Sequence, residues 1–346
     1  MPSLADHLLA RIRADGPMPL SAYMAEALTH PTLGYYTTRD PLGRDFTTAP
    51  EISQMFGEMV GLALAQAWLD QGAPAPVTLA ELGPGRGTLM ADALRATARV
   101  PGFHDAIRLH LVEVSPTLRA EQARRLPNAT WHDHVDDLPD GPLLLVANEF
   151  LDALPIRQWR REEAGWSEIV IAERGGVLTR AATPPSPVPE LDHHTDLPAG
   201  NIVELCPALP AIVGAVAARV ATGGAAIFVD YGHWRSQGDT LQALRAGSTV
   251  DPLNAPGTAD LTAHVDFEAV ARAAPPTAAS AMTPQGVWLE RLGITARAQA
   301  LARGKTGADL DAIVAAHRRL THPQEMGDLF KVIALTRPGA PPVPGT

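Results

Sequence analysis

Apolar positions along this chain fall into two spacings. Near the N-terminus Leu4, Leu8, Leu9 and Ile12 share one helical face, Ser3 and Asp6 have the spacing of a capping box, and Gly16-Pro17 stops the run. In "TTAPEISQMFGEMVGLALAQAWLDQG" a second stripe runs through Ile52, Phe56, Val60, Ala63 and Ala67. There Thr48 and Glu51 repeat the capping-box spacing, with Pro50 in the first turn. Short unbroken apolar runs then alternate with helical patterns. "VTLAEL" precedes a helix from about Thr88, "IRLHLVEV" precedes one near Pro116, and "PLLLVANEF" reads as a buried strand. A helix over "ALPAIVGAVAARVA" leads into the strand "GGAAIFVDYG", and "LFKVIALTR" is the last strand.

Unbroken apolar strands separated by helices predict a mostly parallel sheet covered on both faces, an α/β Rossmann-like core. The pattern divides the chain into an N-terminal helical region with a lid block, residues 1–70, and the core, residues 71–346. Insertions interrupt the core at about 155–200 and 233–325. The Pro-rich stretch 181–200 reads as a surface linker and 273–286 as a loop. No internal repeat is visible.

Composition narrows the function. Apolar residues make up 46% and charged residues 19%, as in an ordinary globular protein. With 28 basic against 38 acidic residues the net charge is −10, which argues against nucleic acid or an anionic membrane as partner. Cys206, the only cysteine, rules out an internal disulfide and a Cys-rich zinc site, and reads as a small buried residue. "AIVGAVAARVATGGAAIFV" is interrupted by Arg219 and by Gly223-Gly224, so it is not a membrane span. The N-terminus has no long apolar segment and carries Asp6 and Asp15, unlike a targeting peptide, so the expected location is cytoplasmic.

The strand "VTLAEL" runs into Gly83, Gly85 and Gly87, a turn that would present backbone N–H groups and a helix N-terminus to a ligand. A P-loop needs a Gly-Lys-Ser/Thr that is absent. A dinucleotide fingerprint needs Gly or Ala at position 88, where Thr88 stands, which weakens that reading. For S-adenosylmethionine (SAM), Glu81 would engage the methionine moiety. Glu113, at the end of the next strand, would take the ribose hydroxyls. A dinucleotide site would use a similar acid, so Glu113 does not separate the two. A tight turn with no ligand is the remaining alternative.

The segments "GYYTTRDPLGRDFTTAPEISQMFGE", "LAELGPGRGTLMADALR", "HLVEVSPTLRAEQ", "ANEFLDALPIRQW", "VDYGHWRSQGDTLQA", "ADLTAHVDF", "TPQGVWLERLGI" and "MGDLFKVIAL" together resemble the MidA family of SAM-dependent methyltransferases. The resemblance spans about residues 5–336. It implies a class I methyltransferase fold and SAM as cofactor. The family's mitochondrial member symmetrically dimethylates an arginine on the quinone-module subunit of complex I, which makes a protein arginine the leading acceptor. Two positions depart from the family pattern. Arg44 precedes Asp45 where the family has glycine, after a shortened loop, and Cys206 replaces a Ser-like residue.

Arginine methylation sets a definite demand, because the guanidinium stays protonated at neutral pH. Carboxylates must hold it, orient a lone pair and accept a proton. Asn148 and Glu149 end a core strand where a doubly wound sheet opens on a crevice, so Asn148 would orient the acceptor and Glu149 grip it. Asp152 would assist, or cap a helix. Asp45 is a candidate for contact, and Thr48 and Glu51 form a lid or merely a cap. Asp230 and Tyr231 face the crevice in this reading, and Asp133 lies beside the adenine. His264 is either a proton acceptor or packed at a helix start. His193-His194 reads as surface, and the chemistry needs no metal. The partner is then a protein presenting an arginine, and a homodimer is left open. Competing readings are a non-catalytic SAM-binding assembly factor, a small-molecule O- or N-methyltransferase and, more distantly, a nicotinamide oxidoreductase.

Overall fold

Strands Val77–Leu82 (β1), Ile107–Val112 (β2), Thr130–His132 (β3), Leu143–Asn148 (β4), Gly224–His233 (β5) and Phe330–Thr336 (β6) lie side by side in the order β6-β5-β4-β1-β2-β3. This is seen in a computed structural model that describes residues 3–38, 47–194 and 196–346. β1 and β4 are buried at every position, as strands covered on both faces must be. Neighbours from β3 through β5 are parallel, and β6 lies beyond β5, antiparallel to it. The chain winds outward from β1 to β3, then restarts on the other side of β1 with β4. That reversal leaves a crevice beyond the C-terminal ends of β1 and β4, the usual ligand position in such sheets.

Helices Ala49–Ile52 (α1), Gln54–Asp70 (α2), Thr88–Thr97 (α3), Pro116–Arg125 (α4) and Leu209–Val220 (α5) accompany this sheet. α2 packs tightly on α3: a Cβ at Gly61 would lie 2.6 Å from the Cα of Ala93, so only glycine permits the approach. The expected capping box at Thr48 and Glu51 is corrected. Thr48 makes no side-chain cap bond, the short α1 ends at Ile52, and extended Ser53 caps α2 instead by accepting from the N–H of Met55. The expected loop 273–286 is likewise corrected. Ala278–Ala279 and Thr283–Pro284 pair with β6, and a helix begins at Gln285.

These elements belong to a unit made of Thr47–Leu151, Pro210–Trp234 and Phe267–Thr346. A second unit gathers Met1–Phe46, Asp152–Leu209 and Arg235–Asp266. Residue 70, where the sequence reading divides the chain, falls inside the first of these, at the end of α2.

In the second unit Met18–Pro19, Gly165–Arg174, Arg157–Glu162 and Ile202–Leu205 form an antiparallel sheet in that order, and Val177–Ala182 pairs with Gly165–Arg174. Its first helix has the predicted capping box: Ser3 Oγ accepts from the N–H of Asp6, and Asp6 accepts from the N–H of Ser3. Leu4, Leu8 and Ile12 bury against a core that includes Tyr23, Met24 and Ile171. The Pro-rich stretch is not a surface linker throughout. Val188 and Leu191 pack with Trp159, Trp166 and Val203, and His194 is buried, which corrects its reading as surface. Among the described residues no helix is long and apolar enough to cross a membrane.

Candidate active site at the ends of β1 and β4

Past Leu82 the backbone enters the left-handed region three times, at Gly83 (φ 61°), Gly85 (53°) and Gly87 (76°), before α3 starts at Thr88. L-residues pay about 1 kcal/mol or more for each such conformation. At Gly83 a Cβ would also lie 2.9 Å from the ring of Phe150. Gly83 is therefore required both by its backbone conformation and by the space that Phe150 leaves.

Two acids flank it. Glu81 is 3% exposed, and its Oε2 has no hydrogen-bond partner among the described residues. Burial, and then the charge of Glu113, pushes its carboxyl up to about 8. Glu113 is buried as well, and burial raises it, partly offset by hydrogen bonds. Its carboxylate accepts from the N–H of Ser115 at 2.8 Å and from Gln122 Nε2 at 3.3 Å.

Beside them, β4 ends in a second polar pair. Asn148 is buried, and its Oδ1 lacks a hydrogen-bond partner among the described residues, while its Nδ2 donates to Glu149 Oε1 at 2.9 Å. Glu149 has φ 53°, a left-handed backbone that a glutamate adopts only where its surroundings impose it. Its N–H donates to the carbonyl of Val229, and its Oε1 also accepts from the N–H of Ala49 at 2.9 Å. Asp230, 1% exposed, holds the next residues: its Oδ2 accepts from the N–H groups of Phe150 and Leu151. Tyr231 packs edge-on against Phe330.

Glu51 turns away from its own helix. Its Oε1 accepts from the Thr88 hydroxyl at 2.6 Å, and its Oε2 lies 3.7 Å from Arg86. The segment from Ala49 to Glu51 is thus tied both to Glu149 and to the start of α3.

Asp133 is exposed on the chain after β3 and ion-paired to Arg119 at 2.6 Å. Asp152 belongs to the second unit, where it is buried in a turn and its carbonyl accepts from the N–H of Ala263. No helix starts there, so its reading as an N-cap is corrected. His264 follows the strand Asp260–Thr262, and its N–H donates to the Thr240 hydroxyl. Asp45 lies outside the described residues. Burial pushes the Cys206 thiol up to about 11, which keeps it protonated and unreactive.

Three further features escaped sequence reasoning. In the second unit Tyr36 donates to Asp260 at 2.6 Å, a pairing between residues far apart in sequence that no local pattern announces. Gln122 occupies a buried position of α4 one turn after Leu118, and that polar residue in an apolar stripe was the available signal. His7, Glu26 and His30 approach closely enough to hold a cation. However, Arg11 already pairs with Glu26, and His30 Nδ1 accepts from two backbone N–H groups, which places its proton on the other nitrogen. Glu26 is therefore held by Arg11, with His7 Nε2 3.9 Å away.

The glycine turn, the buried acids Glu81 and Glu113 and the unpartnered Glu81 and Asn148 oxygens suit a cationic adenosyl ligand. Fold and site define a class I SAM-dependent methyltransferase. Residues 59–285 match the family model described as S-adenosyl-L-methionine-dependent methyltransferase. A COG1565 superfamily member from Burkholderia thailandensis, solved with S-adenosyl-homocysteine bound, is 32% identical with a TM-score of 0.84. The match covers 99% of this chain and 93% of that one. The mitochondrial protein arginine methyltransferase NDUFAF7 homolog of Drosophila melanogaster is 37% identical, covering 96% of this chain and 84% of its own length. The human protein arginine methyltransferase NDUFAF7 is 35% identical, covering 95% and 82%.

The chain therefore belongs to this family of SAM-dependent methyltransferases, the MidA family that its motifs resemble, and its cofactor is SAM. The expected cytoplasmic location is corrected by the same relatives, which are named as mitochondrial proteins. The N-terminal charge pattern used for that expectation reports on a targeting segment, not on where a folded enzyme works.

Proposed function

We propose that this methyltransferase modifies an arginine side chain of a protein, and that the protein is a subunit of respiratory complex I. The observation that carries the reading is Glu149. It is a carboxylate held by the N–H of Ala49 and the amide of Asn148, on a left-handed backbone at the mouth of the parallel sheet. Relatives named as protein arginine methyltransferases cover nearly the whole chain and support the same acceptor.

SAM supplies an electrophilic methyl group when bound. Gly83, Gly85 and Gly87 would let the backbone pass close to it. Glu81 would pair with its ammonium, Glu113 would accept from the ribose hydroxyls, and Asp133 would stand on the adenine side. For the acceptor, Glu149 neutralises the guanidinium, fixes its plane and takes the proton that leaves as the nitrogen gains carbon. Asn148 orients the same group through its amide. Asp230 keeps Glu149 in place by holding the two residues that follow it. Positioning of this kind contributes several kcal/mol to a displacement whose donor is already activated, about 7–11 kcal/mol at best.

The test is incubation with methyl-labelled SAM and the quinone-module subunit of the host's complex I, followed by peptide mass spectrometry. Label should appear on an arginine and disappear in Glu149→Gln while SAM binding persists. Measurable SAM binding with a folded partner and no labelled arginine would overturn the assignment.

A further inference from the structure

Gln122 carries more contacts to the cofactor cradle than any role in its own helix requires. It is fully buried in α4, where Leu118 one turn earlier faces the same interior. Its Nε2 donates to the carbonyl of Gly85 at 2.7 Å and to Glu113 Oε2 at 3.3 Å. Its Oε1 accepts from Trp131 Nε1 at 2.8 Å. An indole N–H only donates, so Trp131 determines which end of the amide faces inward: the NH₂ must point at the turn and the carboxylate. Gly87 completes the contact, since a Cβ there would lie 3.6 Å from Gln122 Cγ and 3.0 Å from Leu126.

A buried amide is costly unless every polar atom is matched, and an apolar side chain of the same size would suit a helix interior better. The partners explain why an amide stands here. Only a group with two donors and one acceptor can join the glycine turn, the acid just after β2 and the indole of β3 at once. Ser115 and Arg119 secure Glu113 from the same helix, through its Oε1 and its backbone carbonyl respectively, but neither touches the glycine turn in these bonds.

We propose that Gln122 is a positioning residue for the cofactor. It couples Gly85 to Glu113, so that the turn under the methionine moiety and the acid for the ribose keep one fixed spacing. This rests on the reading of Glu113 as the ribose-binding acid. The consequence is specific: loss of Gln122 weakens recognition of the ribose hydroxyls and leaves affinity for the rest of the ligand nearly intact.

The experiment is calorimetric titration of the full chain with S-adenosyl-homocysteine and with its 2′-deoxy analogue, for wild type, Gln122→Met, Trp131→Phe and Glu113→Gln. Wild type should prefer the hydroxylated ligand by about tenfold or more, the worth of a hydrogen bond to a charged group. Gln122→Met should bind it about tenfold less tightly, bind the analogue within about threefold of wild type, and so lose most of the preference. Trp131→Phe should lose part of it. An equal weakening for both ligands, with the preference kept, marks a merely structural residue and overturns the proposal. If Gln122→Met fails to fold, an undiminished preference in Trp131→Phe overturns it instead. If wild type shows no preference, or Glu113→Gln keeps it, the reading of Glu113 falls and the proposal with it. If Glu113→Gln loses the preference while Gln122→Met keeps it, only the role of Gln122 falls.

Discussion

Replacing Glu81 by Gln should stabilise the ligand-free protein while removing its affinity for SAM. Burial, and secondarily Glu113, pushes the folded carboxyl up to about 8, against an ordinary value of 4.5. In the unfolded chain the group ionises near the ordinary value. As pH rises above 4.5 the unfolded state therefore loses a proton that the folded state keeps, and folding stability falls until about pH 8, beyond which the deficit is constant. The gap corresponds to a ceiling of about 5 kcal/mol at 1.36 kcal/mol per unit. Relaxation and water access in a real interior reduce this to about 2 kcal/mol. Glutamine cannot ionise, so Glu81→Gln should match wild type near pH 4.5 and exceed it at pH 8, by about 3 °C in Tm. Melting curves at pH 5, 6.5 and 8 without ligand measure this. Equal gains at every pH, or a loss at pH 8, would refute the reasoning. The companion measurement is SAM affinity in wild type. An ammonium paired to Glu81 requires the charged form, so affinity should rise with pH up to about 8 and then level off.

Two other substitutions test the frame around the site. Gly83→Ala forces a Cβ to 2.9 Å from Phe150 at φ 61° and should cost about 1–2 kcal/mol of stability. SAM affinity should fall more than tenfold, as titration calorimetry would show; unchanged affinity would mean that the turn tolerates a side chain. Glu58, 3% exposed, is held by Arg95 and Arg297. Glu58→Ala should cost about 2–3 kcal/mol in urea unfolding, below the value for a fully buried pair because both arginines reach solvent. Burial alone would raise the Glu58 carboxyl, but hydrogen bonds from Arg297 and Arg95 prevail and hold it below 4.5. Its stabilisation is therefore present above pH 4.5 and lost as pH falls through the lower folded value, an acid loss that Glu58→Gln should remove.

Local chemistry sufficed for the elements that carry their own reasons. The apolar run Val77–Leu82, the helix from Thr88, the Ser3–Asp6 capping box and the strand ending at Asn148 were all legible, because each depends on residues within a turn or a strand of one another. The glycine turn and its two acids were legible for a related reason: the spacing of a strand–turn–helix unit is short and stereotyped. Partners far apart in sequence were not. Glu51 reads as a cap from its neighbours, yet its bond goes to Thr88, 37 residues away, and the partner of Ala49 is Glu149, 100 residues away. Asp230 reads as a crevice residue until β5 pairs with β4 and brings its carboxylate under Phe150 and Leu151. Gln122 looks like one more polar residue of a helix until β2 and β3 place Glu113 and Trp131 on either side of it. Period and propensity act over a few residues, so the parallel sheet with its glycine turn between two acids could be read from the chain alone. Which donors reach those acids follows from the strand order, because a buried carboxylate must find its partners wherever the fold brings them.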